Sequence, residues 1–250
     1  MVSAREAGTG RPVTIVNLAY NNEGAHSFQF TLRDYTYLDY DAVVFYSGYN
    51  DLGGNLSVYR RTSPIYRLTG YMPILPLVLR EKSMVIRYGG NLEAAYKNEK
   101  NVYRPNVAQR AAATTLASVA DVMHSFNRPQ NSEGEVLNPA SLAEGAPCGE
   151  KWAHYCGGMY IAMKYALDRH KRVLMVTQPR SLERPGDHME QQERLVSFLK
   201  TRFPGNPLLH FTNLSDAVNL ADTTICYDGL HLKPEGNREI AKRLVEPVLE

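Results

Sequence analysis

The sequence has few of the features that mark specialised classes of protein. Its 250 residues include only 3 cysteines and 1 tryptophan, and Lys and Arg (28) nearly balance Asp and Glu (26). No block of five or six like charges occurs, which argues against a nucleic-acid partner. The first residues lack the apolar core of a signal peptide, and no stretch reaches the roughly 20 apolar residues of a membrane span. We therefore predict no nucleic-acid partner and no membrane span, and the sequence indicates neither a compartment nor an oligomeric state.

Three cysteines are too few for a disulfide framework. Cys148 and Cys156 bracket the start of a predicted helix and could pair in an oxidising compartment, whereas Cys226 is expected to be a small buried residue. Three free thiols are the default expectation, and pairing of the first two stays open. His154 lies beside Cys156, but there is no second pair at ligand spacing, so we predict no metal site and no cofactor.

What the sequence does contain is an alternation of β-branched runs with amphipathic segments. Predicted strands cover residues 13–18, 42–46, 172–177 and 207–211, and predicted helices cover residues 28–37, 188–203 and the C-terminal segment from Pro234. Strands that alternate with helices are typical of a mostly parallel sheet covered on both faces. The predicted fold class is α/β, a three-layer α/β/α sandwich.

The alternation stops between residues 53 and 149. This stretch holds an apolar segment at residues 71–79 and a strong predicted helix at residues 106–126. About 95 residues are too many for a simple connection, so we predict a large, mostly helical insertion with structure of its own. Residues 1–52 and 150–250 would form the α/β domain. The insertion would leave the sheet at the carboxyl ends of the strands, where it could cap a site.

Two short stretches carry recognisable chemistry. Asp228 and His231 lie three residues apart just before the last helix, a spacing that can place a carboxylate against one imidazole nitrogen and leave the other facing a cleft. That is the orienting acid and the general base of a nucleophilic hydrolase. The strand at residues 42–46 ends in Gly48-Tyr49-Asn50-Asp51, a glycine turn that presents an amide side chain. Asp51 is expected to cap this turn through its own backbone.

Together the two stretches resemble the SGNH (GDSL-type) hydrolase family, whose third and fifth blocks are Gly-x-Asn-Asp and Asp-x-x-His. The resemblance implies a flavodoxin-like sheet and gives Asn50 the role of an oxyanion donor. The family's second block is a strand, a loop and a glycine whose N–H is another oxyanion donor, and Gly24 is the best counterpart. Gly48, Tyr49 and Gln178 could line the pocket, as could His188 at the start of a predicted helix.

The family's first block, Gly-Asp-Ser with the nucleophile, does not occur in this chain. We therefore expect a fragment that lacks the first family strand and the nucleophile, which stays unknown. In a flavodoxin-like order that strand would lie between the strands at residues 13–18 and 42–46. Its loss would leave two apolar edges unpaired or force them together, and would lower the stability of the isolated chain.

The resemblance implies a serine hydrolase that cleaves a small-molecule ester, an acyl or acetyl ester, by acylation and deacylation. The alternative is a non-catalytic binding module or pseudoenzyme that keeps the pocket. A metal-dependent hydrolase is a third hypothesis, and it predicts inhibition by a chelator. The sequence does not indicate which ester is the natural substrate.

Overall fold

The computed structural model describes residues 13–20, 23–54, 56, 58, 60, 66, 68, 74–96, 100–125 and 135–249. Within these ranges, seven helices, α1 to α7, span Ala25–Asp34, Ile74–Arg87, Leu92–Tyr96, Val107–Ser125, Gly149–Leu167, Pro185–Arg202 and Pro234–Leu249. Three strands in the same ranges, β1 to β3, span Ala42–Tyr46, Arg172–Val176 and Leu209–Thr212. Short 3-10 helices lie at Thr36–Leu38, Tyr49–Asp51 and Pro139–Leu142.

The chain divides into two compact units. The first comprises Met1–Ser57 and Asn131–Glu250, and the second is Val58–Gln130. The second unit lies within the predicted insertion at residues 53–149, whose exact limits remain a prediction. Its main feature is the packing of α2 along α4, with α3 beside α2.

The sheet belongs to the first unit and is parallel, in the order β1-β2-β3. Val43 lies opposite Val173, and Val173 lies opposite Leu209. β2 is the central strand, and four of its five residues are buried, as a continuous apolar run in a parallel sheet predicts. The α/β class and three of the four predicted strands are therefore confirmed.

The prediction of a strand at residues 13–18 was wrong. Residues 13–20 form no regular secondary structure, and Ile15 and Val16 are 69% and 53% exposed. A β-branched run only favours a strand, and a strand also needs a partner edge and a surface to bury. In the part of the chain that the structure describes, β1 is thus an edge strand, and its Val44 is 43% exposed.

The side chains of β2 alternate between two apolar clusters. Val173 and Met175 pack with buried residues of α1, α5 and α6. Leu174 and Val176 pack instead with Ile240 of α7. This alternation is the ordinary consequence of strand geometry, in which successive side chains point to opposite faces. Both faces of β2 are therefore covered by apolar side chains from helices.

The default expectation of three free thiols was wrong. Cys148 and Cys156 form a disulfide at the beginning of α5, with their Cα atoms 6.4 Å apart. Cys226 is free and buried, as expected. No helix in the described ranges is long and apolar enough to cross a membrane.

Candidate active site

Asp228 and His231 face each other in the loop between β3 and α7. The imidazole Nδ1 lies 2.7 Å from Asp228 Oδ2, while Oδ1 of the same carboxylate accepts the backbone N–H of His231 at 2.8 Å and of Leu230 at 3.1 Å. Gly229 turns the chain with a φ of +87°, a conformation that glycine adopts without steric cost. One carboxylate thus both folds the turn and orients the imidazole.

The pair lies at the surface. The side chains of His231 and Asp228 are 77% and 50% exposed. Partial burial raises the pKa of Asp228, but the hydrogen bonds from the backbone and imidazole of His231 and from Leu230 outweigh it, so the net pKa is lowered. Asp228 is therefore ionised at neutral pH and can stabilise a positively charged imidazole.

Cys226 stabilises this turn through two hydrogen bonds. Its buried Sγ donates to the carbonyl of His231 at 3.2 Å and accepts the N–H of Gly229 at 3.2 Å. An antiparallel bridge between Cys226 and Leu232 and a hydrogen bond from Tyr227 N to the carbonyl of His231 at 2.8 Å complete the turn. Sequence reasoning treated Cys226 only as a buried residue, because its two contacts depend on how the loop folds back.

Asn50 lies in the 3-10 turn that follows β1. Its side chain is exposed, and Nδ2 donates to the carbonyl of Glu23 at 2.9 Å. An amide nitrogen carries two N–H bonds, so the second remains available to another acceptor. The contact also places Asn50 next to the peptide group that joins Glu23 to Gly24.

Gly24 is the N-cap of α1 and is buried. In a trans peptide the C=O and N–H point in opposite directions. The N–H of Gly24 therefore points away from the side of the peptide group to which Asn50 donates. The two predicted oxyanion donors are neighbours, but in this arrangement they do not point at the same spot.

Asp51 has a role beyond its own turn. Its backbone N–H closes that turn on the carbonyl of Gly48 at 3.0 Å, while its buried carboxylate accepts the N–H of Ala25, the first residue of α1, at 3.0 and 3.2 Å. Burial raises the pKa of Asp51 to about 7, against the lowering effect of hydrogen bonds from Ala25 and Ser47, and nearby Glu23 adds to the increase. Asp51 thus connects the turn of Asn50 to the start of α1.

Buried glutamines also contact the Asn50 turn, through hydrogen bonds to its backbone. Gln178 Oε1 accepts the backbone N–H of Tyr49 at 2.8 Å, and Tyr49 also donates its hydroxyl to the carbonyl of Pro179. Gln192 Nε2 donates to the carbonyl of Ser47 at 3.2 Å. Gln178, predicted to line the pocket, therefore holds the turn in place.

The surroundings of His188 indicate a structural role. It is buried, its ring lies 4.7 Å from the ring of Tyr49, and Nδ1 accepts the N–H of Ser181 at 3.3 Å. Burial lowers its pKa to about 4, so the ring is neutral at pH 7. Its predicted place at the start of a helix is nearly right, since α6 begins three residues earlier at Pro185.

The chain segment at residues 178–182, which follows β2, contacts both turns. Gln178 and Pro179 bind Tyr49, while Leu182 N donates to the carbonyl of Gly229 at 3.3 Å. A Cβ on Gly229 would lie 2.9 Å from Cβ of Leu182, which shows how closely the two segments approach. The Asn50 turn and the Asp228–His231 turn therefore both contact this segment, beyond the carboxyl ends of β1 and β2. Sequence reasoning missed Leu182, because no local signal marks a contact between residues 47 positions apart.

Within the described residues, no serine or threonine hydroxyl is hydrogen-bonded to His231. No group of three or more His, Cys, Asp or Glu residues in those ranges could hold a metal ion. Comparisons of the chain with protein-family models, with curated proteins and with solved structures found no match. The resemblance to SGNH hydrolases therefore depends on the motif residues themselves.

Proposed function

We propose that this chain supplies the general base, its orienting acid and an oxyanion donor of an SGNH-type serine hydrolase that cleaves a small-molecule ester. The observation that carries the proposal is that two turns contact the same short segment, residues 178–182: one holds the Asp228–His231 pair and the other holds Asn50. Ligands of open α/β sheets bind at this edge. A three-layer sandwich with flavodoxin-like strand order is part of the same proposal.

In the proposed mechanism, the exposed Nε2 edge of His231 takes the proton of a serine hydroxyl as that oxygen attacks the ester carbonyl. This serine is not one of the residues that form the two turns. His231 then gives the proton to the leaving alcohol, and a water molecule activated by the same imidazole hydrolyses the acyl-enzyme. Asp228 keeps the imidazole in the required tautomer and stabilises its charged form.

The negative charge that develops on the carbonyl oxygen needs donors. The second N–H of Asn50 supplies one, and Gly24 supplies another if its peptide group turns when substrate binds. Gly48, Tyr49 and Gln178 hold Asn50 at the end of β1 and form the adjacent wall. The mechanism requires no metal and no cofactor.

The test is hydrolysis of 4-nitrophenyl acetate by the protein expressed from its complete reading frame. We expect His231→Ala and Asp228→Asn to reduce kcat about 10³-fold or more, and Asn50→Ala to reduce it about 10²- to 10³-fold. His210→Ala is the matched control, because His210 is an exposed histidine on β3, outside both turns. It should keep full activity, and so should the wild type in the presence of a chelator.

The second candidate function is a binding module that keeps this pocket without turnover. The lack of Gly-Asp-Ser in the chain favours it. An expressed protein without esterase activity would support the binding module and contradict the hydrolase. Esterase activity that His231→Ala leaves unchanged would contradict the proposed hydrolase mechanism without supporting the binding module.

A further inference from the structure

Positive charge is concentrated in the second unit. Between residues 58 and 130 there are 11 Lys and Arg residues and 4 Asp and Glu residues, a net charge of +7, although the whole chain carries only +2. The rest of the chain is therefore net negative. An asymmetry of this size within one chain attracts anions to the positive part.

The same unit contains a cavity of about 430 Å³ that is open to solvent. It is lined by residues from the end of α2, the loop before α4 and the first two turns of α4: Arg87, Tyr88, Asn101, Pro105, Arg110 and Thr114. This volume falls in the range of small-molecule sites. The cavity is well separated in sequence from the motif residues of the candidate active site.

The lining has the chemistry of an anion site. Arg87 and Arg110 contribute two guanidinium groups, while Tyr88, Asn101 and Thr114 add side-chain hydrogen-bond donors, and none of the described lining residues carries a carboxylate. Within the described ranges, neither guanidinium has a carboxylate partner. Arginine presents a planar fork of donors that matches the oxygens of a phosphate group.

The walls are held by hydrogen bonds of their own. Asn101 Nδ2 donates to the carbonyl of Arg87 at 2.6 Å, which ties the loop to the end of α2. At the start of α4, Asn106 and Gln109 each accept the backbone N–H of the other at 2.9 Å. This reciprocal capping fixes the first turn of α4, which leads directly into Arg110. The two arginines therefore project from anchored backbone.

We propose that this cavity binds the phosphate group of a phosphorylated small molecule or of a lipid headgroup, with Arg87 and Arg110 as its principal contacts. The proposal does not depend on the hydrolase function, since it uses none of the residues assigned to that site.

The test is titration of the full chain with inorganic phosphate at constant ionic strength. Binding is measured by calorimetry or NMR, with chloride as the reference anion. We expect saturable binding of phosphate, and a Kd at least tenfold higher in Arg87→Gln and in Arg110→Gln. Arg104→Gln is the matched control, because it removes the same charge from an exposed position of the same unit that does not line the cavity. It should change the Kd less than twofold.

Two outcomes would overturn the proposal: phosphate binding no tighter than chloride, or an equal loss of affinity in all three variants, which would indicate diffuse attraction by the net charge. Circular dichroism confirms that each variant is folded. Vesicles of phosphatidylcholine with and without phosphatidic acid then distinguish the sources. Binding to the acidic vesicles that Arg87→Gln abolishes identifies a lipid headgroup, and phosphate binding without vesicle binding identifies a soluble phosphorylated ligand.

Discussion

Substitution of Gly48 by alanine tests how the Asn50 turn is held. Gly48 has a φ of +153°, a conformation that residues with a Cβ rarely adopt. An added Cβ would lie 2.4 Å from Gln192 Nε2, 2.9 Å from Gln191 Oε1 and 3.1 Å from Gln178 Oε1. All three glutamines are buried, so they have little room to move away.

The expected cost can be worked out from these contacts. An unfavourable backbone conformation costs about 1–3 kcal/mol. Gln192 must also shift, and Nε2 then loses its hydrogen bonds to the carbonyl of Ser47 at 3.2 Å and to the hydroxyl of Tyr155 at 3.0 Å. Each such bond contributes about 0.5–1.5 kcal/mol. Gly48→Ala should therefore lower the free energy of unfolding by about 2–6 kcal/mol, a large part of the usual total of about 5–15.

The assay is urea denaturation at 25 °C, followed by circular dichroism. Gly53→Ala is the control, because Gly53 follows the same turn, has an ordinary φ and has no atom within 4 Å of an added Cβ. It should change the stability by less than about 0.5 kcal/mol. A loss below about 1 kcal/mol in Gly48→Ala, or equal losses in the two variants, would refute the reasoning that the glutamines require a glycine here.

Two further predictions concern stability. Burial raises the pKa of Asp51 to about 7 from 3.8, so the unfolded chain loses this proton first and stability should fall as pH rises from about 4 to about 7. Asp51→Asn should remove up to about 3 kcal/mol of that pH dependence in urea titrations at pH 4.5 and 7.5, and equal pH dependence in both proteins would contradict it. Gly158→Ala should destabilise the protein by about 1–3 kcal/mol although alanine favours helices, because an added Cβ would lie 2.8 Å from the backbone of Ala25. Gly186→Ala in α6, with open space around it, should be neutral or stabilising in the same urea denaturation assay, and a stabilised Gly158→Ala would contradict the packing argument.

The accuracy of the sequence predictions follows the range of the interactions involved. β2 was predictable because a central parallel strand is apolar on both faces, and its run of residues records that burial directly. The turn of Asp228 and His231 was predictable in its geometry because both residues and the hydrogen bonds between them lie within four positions of the chain. The prediction of a strand at residues 13–18 failed because β-branched side chains indicate only a preference for strands. No pattern in the chain shows whether a partner strand edge is present.

The sequence by itself determined the local chemistry of this protein: a carboxylate beside an imidazole, an amide on a glycine turn, and apolar runs of strand length. The tertiary structure decided what those pieces meet. It linked Cys148 to Cys156, placed the carboxylate of Asp51 against the start of α1, and brought Leu182 against Gly229. It also gathered Arg87 and Arg110 around one cavity. Local patterns encode short-range hydrogen bonds and burial, whereas contacts between distant residues depend on how helices and strands pack, which no single stretch of sequence specifies.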